Sequence, residues 1–353
     1  MHKKQIAAIL IVALLMSGCN SSDPIGDTGI ISDQSYESQT DETAVTDVSQ
    51  ETQVQLYEYD PHPSSTLLLS DIPQDYWDSI CNLSDALRAG EDTFECSSQE
   101  AYKWCMDIGT QAHLIPAACM MITGDSGDGS VSYEDGVGHI YYKIPVDEYV
   151  ARQEQFETDV ENVLNSYIEM DDNDYEKCIK LYDYMETNYT YADDGIGDIE
   201  DGYVYHVFYH HEGQCIDLAG VYAFLLNQAG VEALSVGSFD NLDHEWVYAL
   251  VNGRGYHIDP TWALKDELQT DDLHLEYFMM DDEIRTETGC PVEGLTVQLL
   301  PLFWASRSNG SFPAADRNMY LGNPSVFISL DEDNKIIHYY DEFDQESTFN
   351  YGE

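Results

Sequence analysis

A thiol, an imidazole and a carboxylate stand in that order in the second half of the chain. They are Cys215 after Gly213-Gln214, His244 in Asp243-His244-Glu245-Trp246, and Asp259 in His257-Ile258-Asp259-Pro260-Thr261-Trp262. Together they are the parts of an activated cysteine nucleophile. The thiolate attacks an acyl carbon, the imidazole takes and returns the proton, and the carboxylate fixes the imidazole's tautomer and orientation. Such a set hydrolyses amides or transfers their acyl groups. Taken singly, each residue has a plainer reading as a core thiol, a strand-end histidine or a turn-starting Asp-Pro. The conjunction is what points to chemistry.

The surrounding elements must bring the three together. Residues 214–228 have helical spacing, with Ala219, Tyr222, Ala223, Leu225 and Leu226 on a buried face and Gly230 as a stop. Cys215 then falls in the first turn, where unpaired N–H groups and the helix dipole favour a thiolate, lower its pKa and can donate to an oxyanion. Strand-like runs follow at 233–238, 245–251 and 255–258, with Asn252-Gly253 as a hairpin turn. His244 and Asp259 lie about equally far from that turn, so the hairpin predicts cross-strand neighbours within hydrogen-bond reach. No side chain declares itself as an oxyanion donor. Gln214 is expected to face away, Tyr203, Tyr205, His206 and Tyr209 are candidates, and His210, His211 and His257 read as structural or solvated.

Gly213-Gln214-Cys215 with its Ala-containing helix and Ala229-Gly230-Val231, then His244-Glu245-Trp246, then Asp259-Pro260-Thr261-Trp262, resembles the transglutaminase-like superfamily of papain-related folds. The resemblance extends over 175–282 and takes in Tyr189-Thr190-Tyr191 and Tyr277-Phe278-Met279-Met280. It implies an α+β fold with a transglutaminase-like/papain-like core, the nucleophile helix packed on an antiparallel sheet. It also implies Cys215 as nucleophile, His244 as general base and acid, and Asp259 as the orienting carboxylate. Residues 64–149 loosely resemble the α/β extension of exported bacterial members, without an assignable motif.

The start of the chain speaks to location. Met1-His2-Lys3-Lys4 is followed by an apolar run from Ile6 to Met16 and then Ser17-Gly18-Cys19. The run is too short for a membrane-spanning helix and reads as a signal peptide, 1–18. Cys19 resembles the lipidated residue of a bacterial lipobox; an ordinary signal peptide with an incidental cysteine is the other reading. Residues 19–63, rich in Ser, Thr, Asp, Glu and Gln, read as a disordered acidic tether. The expected divisions after it are an N-terminal α/β extension at 64–149, a catalytic domain at 150–289 and a C-terminal β-rich segment at 290–353. Helices are expected over 74–87, 98–114, 147–168 and 172–188, the last capped by Asp171 and Asp172. Hairpins are expected around Asp135-Gly136 and between 325–330 and 335–340. The acidic stretches 125–128 and 193–202 read as surface loops before they read as calcium sites.

With 67 acidic and 14 basic residues the net charge is -53, which makes nucleic acid a poor partner. A hydrophobic content of 43% with 26 Tyr is ample for a folded core. No pattern asks for a metal or organic cofactor. Beyond Cys19 and Cys215, the cysteines Cys81, Cys96, Cys105, Cys119, Cys178 and Cys290 are open to pairing in an exported chain or to remaining free. The expectation is a lipid-anchored, extracytoplasmic bacterial cysteine enzyme that hydrolyses or transamidates amide bonds. Its partners would be a membrane, through the anchor, and a protein or peptide substrate, cell-wall peptide included. The alternative is a non-catalytic surface lipoprotein on the same fold that binds peptide or glycan.

Overall fold

A computed structural model of the chain describes residues 55–68, 71–125, 127, 132–195, 203–238, 244–264, 272–297 and 312–352. The expected lipidation site Cys19, the expected signal peptide 1–18 and the expected tether up to residue 54 lie outside the described residues, as do 126 and 128 of the first acidic stretch and 196–202 of the second.

The ordered chain begins before residue 64. Tyr57 and Tyr59, counted in the tether, are buried, and Tyr59 packs on Phe156 and Phe224. The backbone there is held by side chains: Tyr57 N–H donates to Asn165 Oδ1 at 2.8 Å, Tyr59 N–H to Glu161 Oε1 at 2.9 Å, and Asp60 N–H to Gln228 Oε1 at 2.8 Å. A strap with few apolar residues stays ordered because its peptide groups find partners.

Helix α1 (Gln74–Ala89) buries Trp77, Ile80, Leu83 and Leu87 and ends at Gly90, whose φ of 68° is the left-handed cap that favours glycine. Strand β1 (Thr93–Glu95) follows. The single helix expected over 98–114 is two, α2 (Gln99–Cys105) and α3 (Ile108–Leu114). Asp107 explains the break, since its carboxylate accepts the N–H groups of Gly109 and Thr110 and starts a new helix there. Strands β2 (Ile122–Thr123), β3 (Tyr133–Glu134), β4 (Val137–His139) and β5 (Tyr141–Tyr142) come next. The β3–β4 hairpin turns on Asp135-Gly136 as expected, β1 joins β4, and β2 pairs with β5.

Helix α4 (Val146–Tyr167) leads to α5 (Asp174–Asn188). Asn173 caps α5, rather than Asp171 or Asp172. Its side chain accepts from Glu176 N–H at 3.1 Å while the Glu176 carboxylate takes the Asn173 N–H at 2.8 Å. Buried Glu176 also receives Lys335 Nζ at 2.7 Å and Tyr351 Oη at 2.6 Å. One carboxylate thus ties a helix start to the C-terminal residues. Glu176→Ala is expected to lower the unfolding free energy by about 2 kcal/mol, because bonds to a charged acceptor are lost while Lys335 can return to water. Denaturant titration checks this, and a midpoint equal to wild type would count against the tie.

Strand β6 (Thr190–Tyr191) and, after helix α6 (Tyr203–His210), strand β7 (Glu212–Gly213) pair in parallel and deliver the chain into α7 (Cys215–Gln228). Then come β8 (Ala233–Gly237), β9 (Glu245–Val251), β10 (Arg254–Ile258), α8 (Pro260–Leu264), α9 (Asp282–Glu287) and β11 (Thr296–Val297). The sheet runs β10-β9-β8-β11 with every pairing antiparallel. The β9–β10 turn uses Asn252 and Gly253 at φ 52° and 74°, the two positive values a tight hairpin requires.

Both faces of this sheet are covered. Ala233, Val247, Ala249 and Val251 pack with α5 and α7, whereas Leu234, Val236, Trp246 and Tyr248 meet Trp77, Ile80, Leu83 and Trp104. The regions expected as extension, catalytic domain and C-terminal segment therefore pack as one unit, Val54–Glu353. The C-terminal hairpin forms as β12 (Val326–Asp331) and β13 (Ile336–Tyr340), and a third strand, β14 (Glu346–Asn350), extends it. The fold is α+β, with α7, the helix that Cys215 opens, against an antiparallel sheet.

Candidate active site

Cys215 opens α7. Gly213 is required just before it, since a Cβ there would meet Asp217 Cβ at 2.9 Å and both Val207 methyl carbons at 3.1 Å. Asp217 accepts the Gln214 N–H at 2.9 Å and fixes the helix start, while the Gln214 amide donates to Ala192 O at 3.3 Å and so faces β6, away from the sheet. Cys215 is half-buried. Burial pushes its thiol above the ordinary value; the N–H groups of Glu245 and Ile216 pull the other way, and the Glu245 and Asp259 carboxylates add to the rise. The expected lowering by the helix start is therefore outweighed by desolvation. A thiolate at neutral pH here needs a base to take its proton.

His244 supplies a candidate. Its Nε2 lies 2.7 Å from Asp259 Oδ2, and both residues are buried. A carboxylate held among this many donors is an acceptor only, so Nε2 carries the hydrogen and Nδ1 is left as the basic nitrogen. The two are diagonal rather than directly opposite on the sheet. Val247 pairs with Ile258, so extending the register sets Asp259 across from Trp246, two residues from His244 on the same face. The Glu245 N–H that reaches the Cys215 thiol belongs to the residue after His244, which brings the start of α7 to this corner of the sheet.

Asp259 is more heavily held than the sequence suggested. Oδ1 accepts the N–H groups of Thr261 (3.0 Å) and Trp262 (3.2 Å), and Oδ2 accepts Arg285 Nη2 at 2.8 Å as well as His244. Burial alone would raise its pKa; the Arg285 charge, followed by His244 and the Trp262 N–H, holds it below the usual carboxylate range. The Arg285 guanidinium is itself fully buried, 4.3 Å from the Trp246 ring and 4.6 Å from the Trp262 ring. Trp262 also stacks on His244 at 4.9 Å and 18°.

Trp246 is fixed from behind. Its Nε1–H donates to His257 Nδ1 at 3.0 Å, and His257 Nε2–H donates to Asp282 Oδ1 at 3.0 Å. His257 is thus a structural link, as expected, and burial lowers its pKa against the pull of Asp282. Of the oxyanion candidates on α6, Tyr203 is exposed and the other three are engaged elsewhere. Tyr209 Oη donates to Asp159, Tyr205 lies under the Arg152 guanidinium at 3.4 Å, and His206 stacks on His210. The first-turn N–H groups of α7 remain as the donors next to Cys215. A cavity of about 220 Å³ lies elsewhere, between the strap at 60–66, His113, the middle of α7 and β8; none of Cys215, His244 and Asp259 lines it. The chemistry, rather than that cavity, marks the site.

The structure joins His244 to Asp259 and places Cys215 beside the strand that follows His244. Sequence reasoning missed Arg285. The available signal was scarcity: with 14 Lys and Arg against 67 acidic residues, a cation between Asp281-Asp282-Glu283 and Cys290 had reason to be placed. All seven described cysteines, Cys81, Cys96, Cys105, Cys119, Cys178, Cys215 and Cys290, are free thiols. Among the described residues no group of three His, Cys, Asp or Glu side chains is arranged to hold a metal ion.

No curated protein matches the chain. A solved structure of a proposed cysteine protease from Cytophaga hutchinsonii is similar at 17% identity and a TM-score of 0.25, over 30% of this chain and 38% of that one. One of a proposed protease from Parabacteroides distasonis is similar at 15% identity and a TM-score of 0.24, over 35% of this chain and 34% of that one. The chain thus spans well under half the length of either. Residues 161–261, which hold Cys215, His244 and Asp259, match the model of the transglutaminase-like superfamily.

Proposed function

We propose that the protein is a cysteine enzyme that opens amide bonds through an acyl-enzyme on Cys215, and that it works outside the cell on a lipid anchor at Cys19. The observation that carries the reading is the buried 2.7 Å bond from His244 Nε2 to Asp259, which leaves Nδ1 as a base. In the reaction the Cys215 proton passes to Nδ1 and the thiolate adds to the substrate carbonyl. The oxyanion is met by N–H groups at the start of α7, and the imidazolium returns the proton to the leaving amine. Water then gives hydrolysis, and a primary amine gives transamidation. The location rests on the sequence Ser17-Gly18-Cys19 after the apolar run, and a net charge of -53 favours cationic peptides and lysine-type acceptors.

Incubating the protein with a peptide library, with and without a primary amine, and reading products by mass spectrometry tests the proposal. Cleavage that Cys215→Ala abolishes identifies a hydrolase, and amine incorporation with loss of ammonia identifies a transamidase. No turnover, together with a Cys215 that reacts no faster with a thiol reagent than the other cysteines, would leave a peptide- or glycan-binding module.

A further inference from the structure

We propose that Arg285 is a positioning residue for the His244–Asp259 pair: it cancels the carboxylate's charge without removing its geometry, so that His244 is oriented but not locked in its protonated form. The inference rests on reading Cys215, His244 and Asp259 as the reactive set.

Arg285 and His244 share one oxygen. Nη2 of the first and Nε2 of the second lie 2.8 and 2.7 Å from Asp259 Oδ2, while Oδ1 is taken by the backbone at Thr261 and Trp262. The carboxylate is bonded on both oxygens, which fixes its rotation. The cation and the imidazole also share a stacking partner, since Trp262 lies 4.6 Å from the guanidinium and 4.9 Å from the His244 ring. Moving either aromatic or cation disturbs the base.

The bonding of Arg285 argues against a merely structural post. Here Nη2 makes both bonds, to Asp259 and to the Cys290 thiol at 2.9 Å, and Nε and Nη1 have no hydrogen-bond partner among the described residues. Its support is firm. The Asp281 carboxylate caps α9 by accepting Ile284 N–H at 2.7 Å, Arg317 clamps Asp281 at 2.7 and 3.2 Å, and Asp282 N–H donates to Ala314 O at 2.7 Å. This support comes from residues beyond the matched segment 161–261.

The consequence is electrostatic. In a site with little water, a bare carboxylate against an imidazole strongly favours the imidazolium and delays release of its proton to higher pH. With Arg285 on the same oxygen the partner is a neutral ion pair, and His244 feels a dipole where it would otherwise feel a charge.

The test is the titration of His244 by NMR, its resonance assigned by its loss in His244→Gln, together with the pH profile of Cys215 alkylation by iodoacetamide. Arg285→Met is expected to move the His244 midpoint up by about one to three units. Asp259→Asn, which leaves the cation uncancelled, moves it down. Arg285→Lys, and Asp259→Asn combined with Arg285→Met, keep the charges balanced and stay with wild type. A folded Arg285→Met that titrates as wild type overturns the proposal. If that variant does not fold, the proposal still requires both balanced variants to titrate with wild type, and a large shift in either one overturns it. The two readings separate cleanly. A midpoint that follows Arg285 while Cys215 shows no special reactivity upholds the positioning role and removes the nucleophile. A reactive Cys215 whose profile ignores Arg285 does the reverse.

Discussion

His244→Ala is expected to slow alkylation of Cys215 at pH 7 by about 30-fold or more and to cut acyl transfer by about 10²–10⁴-fold. The first figure follows from burial. The Cys215 thiol lies above its ordinary value, so without a base only a few per cent or less is ionised at neutral pH. The pH dependence carries the sign. In wild type, with a base at hand to take the proton, reactivity at neutral pH should exceed that of the variant. In the variant it should keep climbing as pH rises, because only hydroxide removes the proton. Rates measured with iodoacetamide across pH, with Cys215→Ala as the blank, decide the matter. Equal profiles in wild type and variant would show that His244 is no base for this thiol.

Asp259→Ala should cost about 3–5 kcal/mol of stability, a large share of what a folded chain has. The loss is not that of one hydrogen bond. Arg285, fully buried between Trp246 and Trp262, would keep its charge with no counterion, and His244 and two backbone N–H groups would lose their acceptor. Adding Arg285→Met to the variant should recover a good part of the loss, because the pair is then removed rather than broken. The pH dependence follows from the depressed pKa of Asp259. A carboxyl whose folded value lies below its unfolded one stabilises the fold above the unfolded value, about 3.9, and loses that contribution as pH falls through the folded value. The gap between wild type and Asp259→Ala in denaturant titrations should therefore be full at neutral pH and narrow below about pH 4. A gap that does not change with pH, or a double variant no better than the single, would sink this account.

What the sequence disclosed was local. The apolar spacing of α7, the Asn252-Gly253 turn and the order of Cys215, His244 and Asp259 are each set within a few residues, so they could be read in line. The diagonal offset of His244 and Asp259 was not, because distance from a turn does not specify which residues face one another past the end of the ladder. The break at Asp107 escaped because apolar periodicity continues across it while a single side chain restarts the helix. Arg285 had no local mark at all. In sequence it sits among acidic residues like a solvated charge, and only the docking of α9 on the sheet puts it between two indoles. Trp246 and Trp262 were visible as part of the motif, but their task of stacking on His244 and Arg285 belongs to tertiary structure.

The strap at Tyr57–Asp60 has a mechanical meaning. Tension applied at Tyr57 would be borne first by the bonds of the strap to Asn165, Glu161 and Gln228. Asn165 and Glu161 belong to α4, and Gln228 closes the helix that Cys215 opens. A pull on the strap is thus divided between α4 and the far end of α7.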